Sequence, residues 1–340
     1  MTVYGTVFAN SQTTKGTFVK SNPAAVAWTK IGAFSVAAAS DIAVEVNGRS
    51  IAILQGTAVT MPGSPVVGTD YAIWANPSGT LEATANHASP PVANARRVGG
   101  FHYAPGENAT ANSGGTTTPS INEYSFWDLK FRPACPDPRG MTLVANGFWA
   151  DIYLLGVDHI TNGTSKYNVT IADGSSPPKK PLKFGGNGTT AYTTLNWWET
   201  AEVLGSYGKR LPTYSEFAAY AFGTTEAVSS GGTDVPTTGV TGTGATSAWN
   251  LFTSKWGVIQ SSGCLWTWGD EFGGGAAAAS WTANTGGRGS TYQMENAVLF
   301  GGHWSVGTSS GSRCSNWINS PSNSGNSVGG RGVCDHLLLD

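Results

Sequence analysis

Phe300-Gly301-Gly302-His303-Trp304-Ser305-Val306-Gly307 opens the stretch 300–340, and Gly329-Gly330-Arg331-Gly332-Val333-Cys334-Asp335-His336 lies at its far end. Between them run Ser, Gly, Asn and Thr with single hydrophobes, and from His303 to Gly330 there is no Lys, Glu, Gln, Met or Asp. Too few apolar residues recur at a period of 2 or 3.6 for a helix or a half-buried strand. Trp304 and Trp317 set the run apart from a disordered tail. The reading is irregular backbone pinned by buried tryptophans, with small side chains turned to solvent. That arrangement suits a contact surface better than a core.

The rest of the chain bounds what such a surface serves. A length of 340 residues sets a prior of about two domains and allows sizeable cores without staples. Charged residues are sparse, and a formal net charge of -2 leaves no footprint for nucleic acid or an anionic membrane. Abundant Gly and Trp, without Leu-rich heptads, point to a β-rich chain with long structured loops. Cys135, Cys264, Cys314 and Cys334 stand far apart with no C-x-x-C, so free thiols are expected rather than a disulfide framework or a zinc site. No stretch is long and apolar enough to span a bilayer. Met1-Thr2-Val3-Tyr4 lacks a basic region ahead of an apolar run, so no signal peptide is expected. The sequons at Asn108, Asn162, Asn168 and Asn187 then carry little weight.

Residues 1–14 form a polar N-terminal segment. From Lys15 to about residue 125 strand follows strand, as in a small β-sandwich or meander. Ala43-Val44-Glu45-Val46, Asn47-Gly48 and Arg49-Ser50-Ile51-Ala52-Ile53-Leu54 make the clearest hairpin, because an Asn-Gly turn supplies two positive φ angles between alternating apolar residues. Val44, Val46, Ile51 and Ile53 would share one face. A second domain, residues 126–340, is α+β. In it, Asn196 and Glu199 predict one capped helix ended by Gly205 or Gly208. Thr213 and Glu216 predict another, running to Phe222 and ended by Gly223. Residues 228–248 read as a long surface loop, Gly273–Ala279 as a small-residue loop, and Trp197, Trp266 and Trp268 as core.

Signals for catalysis are weak. Gly307-Thr308-Ser309-Ser310-Gly311 matches the G-x-S-x-G elbow, but no helix start of the required kind follows it. The histidines are scattered without H-E-x-x-H, and Asp270-Glu271 has no partners at metal-ligand spacing. Asp335-His336 reads as a structural polar pair, and Arg210 and Arg331 as buried ion-pair partners. No catalytic residue, metal site or cofactor is expected.

Arg210-Leu211-Pro212-Thr213-Tyr214-Ser215-Glu216-Phe217, Cys264-Leu265-Trp266-Thr267-Trp268, Gly301-Gly302-His303-Trp304 and Gly330-Arg331-Gly332-Val333 form an ordered series. The series resembles the C-type lectin-like fold of the formylglycine-generating-enzyme type. More closely, the chain from Thr17 to Asp340 resembles the phage major tropism determinants, proteins diversified by a retroelement. That likeness takes in Arg97-Val98-Gly99-Gly100-Phe101-His102-Tyr103 and Phe148-Trp149-Ala150-Asp151-Ile152-Tyr153 as well.

The resemblance implies an α+β, mostly β chain: a β-sandwich followed by a C-type lectin-like domain whose variable region is 300–340. It implies a homotrimer at the tip of a phage tail fibre, in the virion, binding a host cell-surface protein. Nucleic acid and membrane insertion are not implied. The family's variable positions fall on His303, Ser305, Val306, Gly307 and Ser309, then on Asn316, Ile318 and Asn319, then on Asn323, Gly325, Ser327 and Val328. Trp304, Trp317 and Arg331 would be the fixed scaffold. Each variable residue type is reachable from an AAC codon by changing adenines, whereas Lys, Glu, Gln, Met and Trp are not, which matches the gap in composition. Cys314 and Asn326 stand where the family pattern has Ala. The family's β-prism has no counterpart before Lys15, and neither the calcium signatures of sugar-binding lectins nor the reactive cysteine pair of the enzymes is present. A diversified binder encoded outside a virion is the alternative, with a formylglycine-type enzyme behind it. Because none of the variable positions holds Tyr, Trp or Arg, the usual hot spots, weak single-site binding is expected, anchored by His303, Val306, Ile318 and Val328. Trimeric presentation would then add avidity of roughly 10²–10⁴.

Overall fold

Alternating runs bounded by Gly, Pro and Asn fold as short strands. The computed structural model describes residues 16–232, 234–239, 249–274, 281–283, 289–292 and 295–339. The expected polar segment 1–14, loop residues 240–248 and residues 275–279 of the small-residue loop lie outside these. The chain divides into two units: one takes in the residues up to Pro105, Pro119–Pro133 and His336 onward, the other Gly106–Thr118 and Ala134–Asp335.

The first unit carries β1 (Phe18–Lys20), β2 (Trp28–Gly32), β3 (Ser35–Ala38), β4 (Ile42–Val46), β5 (Arg49–Ile53) and β6 (Val59–Thr60). It continues with β7 (Thr69–Ala75), β8 (Leu81–Thr84), β9 (Arg96–Ala104), β10 (Ser120–Ile121), β11 (Trp127–Asp128) and β12 (Phe131–Pro133). One sheet has the order β1-β4-β5. A larger one runs β10-β9-β7-β8-β6 with β11 added to β9, and β2 and β3 form a ribbon. Phe18, Val44 and Ile53 from the first sheet and Ile73, Val98 and Phe101 from the second share one core. This is the sandwich arrangement, and β7 and β9 are buried along most of their length.

Asn47 and Gly48 adopt φ of 51° and 75° and set Val44 opposite Ile51 and Val46 opposite Arg49. Val44, Val46 and Ile53 are buried and Ile51 packs against them. A Cβ on Gly48 would meet nothing within 4 Å, so a substitution there isolates backbone strain. Gly48→Val is expected to lower stability by about 1–2 kcal/mol, read as a shift in the urea midpoint with unchanged slope.

The second unit holds β13 (Met141–Val144), β14 (Phe148–Asp151) and the helices α1 (His159–Asn162), α2 (Trp197–Ser206) and α3 (Tyr214–Tyr220). After them come β15 (Trp266–Gly273), β16 (Trp281–Ala283), β17 (Ser290–Tyr292), β18 (Asn296–Phe300), β19 (Ser315–Asn319), β20 (Val328–Gly329) and β21 (Val333–Leu338). The first three residues of β21 pair with β14, and its last three, which belong to the first unit, pair with β12. Both capping boxes form: the Asn196 side chain accepts from Glu199 N, the Thr213 side chain from Glu216 N, and each Glu accepts from its cap's own N–H. Helix α2 runs through Gly205, and Gly208 with φ 71° follows its end. Helix α3 stops at Tyr220, two residues short of the expected Phe222, and Gly223 turns the chain at φ 98°.

Several expectations need correction. Val235 and Thr238, placed in a surface loop, are fully buried, because Pro236 and Thr238 accept main-chain bonds from Ile171 and Asn168. Arg331 is buried, but among the described residues it has no ion-pair partner. Its Nη1 donates to the carbonyls of Asp151 (2.7 Å) and Ile152 (2.8 Å), and its Nη2 to those of Ile259 (2.7 Å) and Gln260 (3.1 Å). Arg210 does form ion pairs, with Glu216 and Asp335, at a half-exposed position. Asp335 and His336 are not a polar pair. As strand neighbours they point to opposite faces, Asp335 to Arg210 and His336 onto the Phe131 ring.

Candidate functional site

The sheet β19-β18-β15-β20 carries the segment from His303 to Val328. Its path is set by partners that lie outside the segment and hold mostly main-chain atoms. In the first arc, His303 bridges Cys264 in parallel. The Trp304 carbonyl accepts from Gly231 N (2.9 Å) and Ser229 Oγ (2.7 Å), and Gly307 N donates back to Ser229 Oγ at 3.1 Å. Ser312 donates its N–H and its hydroxyl to Glu226. The Trp304 indole packs on the cluster of Leu154, Ile171, Val235 and Leu265. It is half-buried rather than buried.

The His303 imidazole lies 6.3 Å from the Trp266 ring and 5.0 Å from that of Trp304. Burial holds its pKa below the ordinary histidine value, which favours the neutral ring. Nδ1 faces the Ser305 N–H at 3.3 Å and so accepts, leaving the proton on Nε2. Ser305 and Ser309 are exposed, and Val306 and Gly307 half-exposed, around the 3₁₀ turn Gly307–Ser309. Gly307–Gly311 therefore lacks the strand–turn–helix geometry of a nucleophile elbow.

The second arc is β19, an edge strand paired to β18 with Leu299 opposite Asn316 and Ala297 opposite Asn319. Trp317 is half-buried against the cluster containing Val298 and Phe300, and its indole N–H donates to Ser315 Oγ. Alternation then turns Ile318 outward, and it is 77% exposed. In the third arc Trp197 N donates to the Pro321 carbonyl, Gly174 N to that of Gly325, Trp266 N to that of Ser327, and Leu195 N to Ser324 Oγ. Asn323 donates to Asn319 Oδ1 at 3.3 Å.

Ile318, Asn319 and Asn323 come together in an open depression of about 640 Å³, completed by Thr194, Ser320, Ser322 and Ser324. Trp266 links the other two arcs, lying near His303 and pairing with Val328. Asn316, Gly325 and Ser327 are half-exposed. Val328 is the exception among the expected anchors. Its parallel pairing with Trp266 draws it into the core beside Leu204, Leu211 and Trp268, leaving it 3% exposed. Sequence reasoning passed over Thr194 and the serines of the depression, and also the holders Glu226, Ser229 and Gly174. Nothing in their local sequence marks them, since each acts on residues far along the chain.

Residues 26–128 match the family described as Mtd second domain. Over its full length the chain is 59% identical to the tail fiber receptor-binding protein of Bordetella phage BPP-1, of which it spans 90%. The solved Major Tropism Determinant M1 and U1 variants are 60% and 61% identical, and each superposes with a TM-score of 0.90 over 96% of this chain and 87% of theirs. The mostly β, lectin-like architecture and the sequence agree throughout, and these relatives are receptor-binding structural proteins rather than enzymes. The chain belongs to the major tropism determinant family of phage tail fiber receptor-binding proteins.

Proposed function

We propose that the chain sets host tropism for a phage, as a homotrimer at the tail-fibre tip. It contacts a host surface protein through His303, Ser305, Val306, Gly307, Ser309, Asn316, Ile318, Asn319, Asn323, Gly325 and Ser327. One observation carries this reading. The segment is anchored by its own carbonyls and N–H groups to Ser229, Gly231, Trp197, Trp266 and Gly174, while the hydrogen bonds of the His303, Asn316, Asn319 and Asn323 side chains stay within the segment. Substitutions at such exposed positions usually stay within about ±0.5 kcal/mol. The solved M1, U1, I1 and P3c variants each superpose on this chain with a TM-score of 0.90, in keeping with a framework that tolerates variation.

The test is a pull-down from a surface-protein extract of the bacterium the phage infects. It compares the native chain with one in which His303, Ser305, Ile318, Asn319 and Asn323 are all replaced by Ala. The melting temperature is expected to hold within about 3 °C, while capture weakens by at least about 30-fold. Undiminished capture by the substituted chain would place the binding surface elsewhere.

A further inference from the structure

The four cysteines are free, but Cys135 and Cys334 are placed for each other. Phe131 pairs with Leu338, Arg132 with Leu337 and Pro133 with His336. Ala134 N continues the ladder by donating to the Asp335 carbonyl at 2.9 Å. One step further, the same register sets Cys135 opposite Cys334. Main-chain bonds join Ala134 to Asp335 and Leu339 to Lys130, so the hydrogen-bonded pairs alternate and Cys135/Cys334 is a non-hydrogen-bonded pair. Such pairs have Cα atoms about 4.5 Å apart and the closest side chains, within the roughly 4.4–6.8 Å that a disulfide spans. Both residues are buried, and the Cys135 thiol lies 3.2 Å from the Asp137 carbonyl and 3.4 Å from Met141 Sδ.

We propose that Cys135 and Cys334 are a latent disulfide, open in a reducing cell and closed by small-molecule disulfides once the particle is outside it. In the reaction one protein thiolate attacks a sulfur of the external disulfide, breaks its S–S bond and releases one thiolate. The second protein thiolate then attacks the mixed disulfide and releases the other. Two electrons pass to the external disulfide, and the two protein thiol protons end on the released thiols. Cys334 is the attacking group: its neighbour Cys135 and the nearby Lys209 ammonium lower its pKa. Burial instead pushes Cys264 up to about 12 and Cys314 up to about 11, which keeps them as inert thiols. Entry is from the Cys135 side, where Pro133, Pro136 and Pro138 carry no N–H to tie the chain down. The bond would fasten β21, the strand that follows the binding segment, and would close a loop taking in most of the second unit.

The full chain is incubated with oxidised glutathione, blocked with iodoacetamide and digested without reduction. The expected result is a cross-linked Cys135–Cys334 peptide, with Cys264 and Cys314 alkylated after denaturation. The melting temperature should rise by about 10 °C, a gain reversed by dithiothreitol and missing in Cys135→Ser. Alkylation of both Cys135 and Cys334 in the oxidised, denatured chain would overturn the proposal, as would a linkage through Cys314. If Cys135→Ser does not fold, the peptide map of the native chain decides alone.

Discussion

Arg331→Met is expected to cost the chain about 4 kcal/mol, most of a small domain's margin of roughly 5–15 kcal/mol. The guanidinium is fully buried, lies 5.7 Å over the Tyr220 ring and donates to four main-chain carbonyls. Those acceptors belong to Asp151-Ile152 and Ile259-Gln260, which one main-chain bond, from Ile259 N to the Ile152 carbonyl at 2.9 Å, also joins. Burial lowers the arginine's pKa, while Tyr220 and Asp151 act against that shift. Methionine fills similar length and relieves the desolvation of the charge. The Ile152 carbonyl keeps its bond from Ile259 N, but the carbonyls of Asp151, Ile259 and Gln260 lose the arginine, and each unsatisfied buried polar group costs about 1–3 kcal/mol. A buried ion pair can be replaced on both sides by apolar groups, but a main-chain acceptor cannot be replaced at all, so the loss outweighs the relief. Arg331→Lys, with three donors and no planar fork, should recover about half. Thermal melts would show a fall of about 8–16 °C for Met and an intermediate value for Lys. A Met variant melting within about 2 °C of the native chain would mean the carbonyls find other partners and Arg331 is dispensable.

What could be read from sequence divides along the same line. The Asn47-Gly48 hairpin and both capping boxes were legible because cause and effect lie within four residues. A positive φ or an orphan N–H is answered by a neighbour in the chain. The order of the lectin-like elements was legible through the resemblance, carried by long runs such as Arg210–Phe217. The roles that escaped depend on residues brought together from far apart. Arg331 shows its charge in sequence, but not that four carbonyls some 70 to 180 positions away converge on it. Val328 ends a polar run and looks exposed until its parallel pairing with Trp266 turns it inward. Glu226 gives no hint that Ser312 is its partner. The sequence points to Trp304 and Trp317 as buried pins, but each is half-buried and covers a core cluster from its rim.

Gly174→Val is the substitution expected to weaken receptor capture most for the least loss of fold, although Gly174 lies well outside the binding segment. The turn that carries it is fixed by Asp173, whose Oδ1 accepts from Ser175 N (2.6 Å) and Ser176 N (2.7 Å), and Gly174 N donates to the Gly325 carbonyl at 3.0 Å. A Cβ on Gly174 would lie 2.3 Å from Gly325 N, 2.7 Å from Gly325 Cα and 2.6 Å from Ser324 Oγ. Two of these are main-chain atoms that no rotamer change can move, so the segment itself must shift. It is tethered at Pro321, Ser324 and Ser327, and the displacement therefore passes to Asn323 and the wall of the depression beside Ile318. Loss of well-placed contacts there is expected to cost about 2–3 kcal/mol of binding, a fall of roughly 30–150-fold in affinity. The fold should lose only about 1 kcal/mol, since few apolar contacts are given up. Gly205→Ala, outside the contact segment, is the control: its Cβ would meet nothing within 4 Å, and capture should stay within about threefold of native. If Gly174→Val captured host protein as well as the native chain does, the main chain of residues 320–328 would not be what positions the contact surface, and the separation of framework from binding side chains would fail.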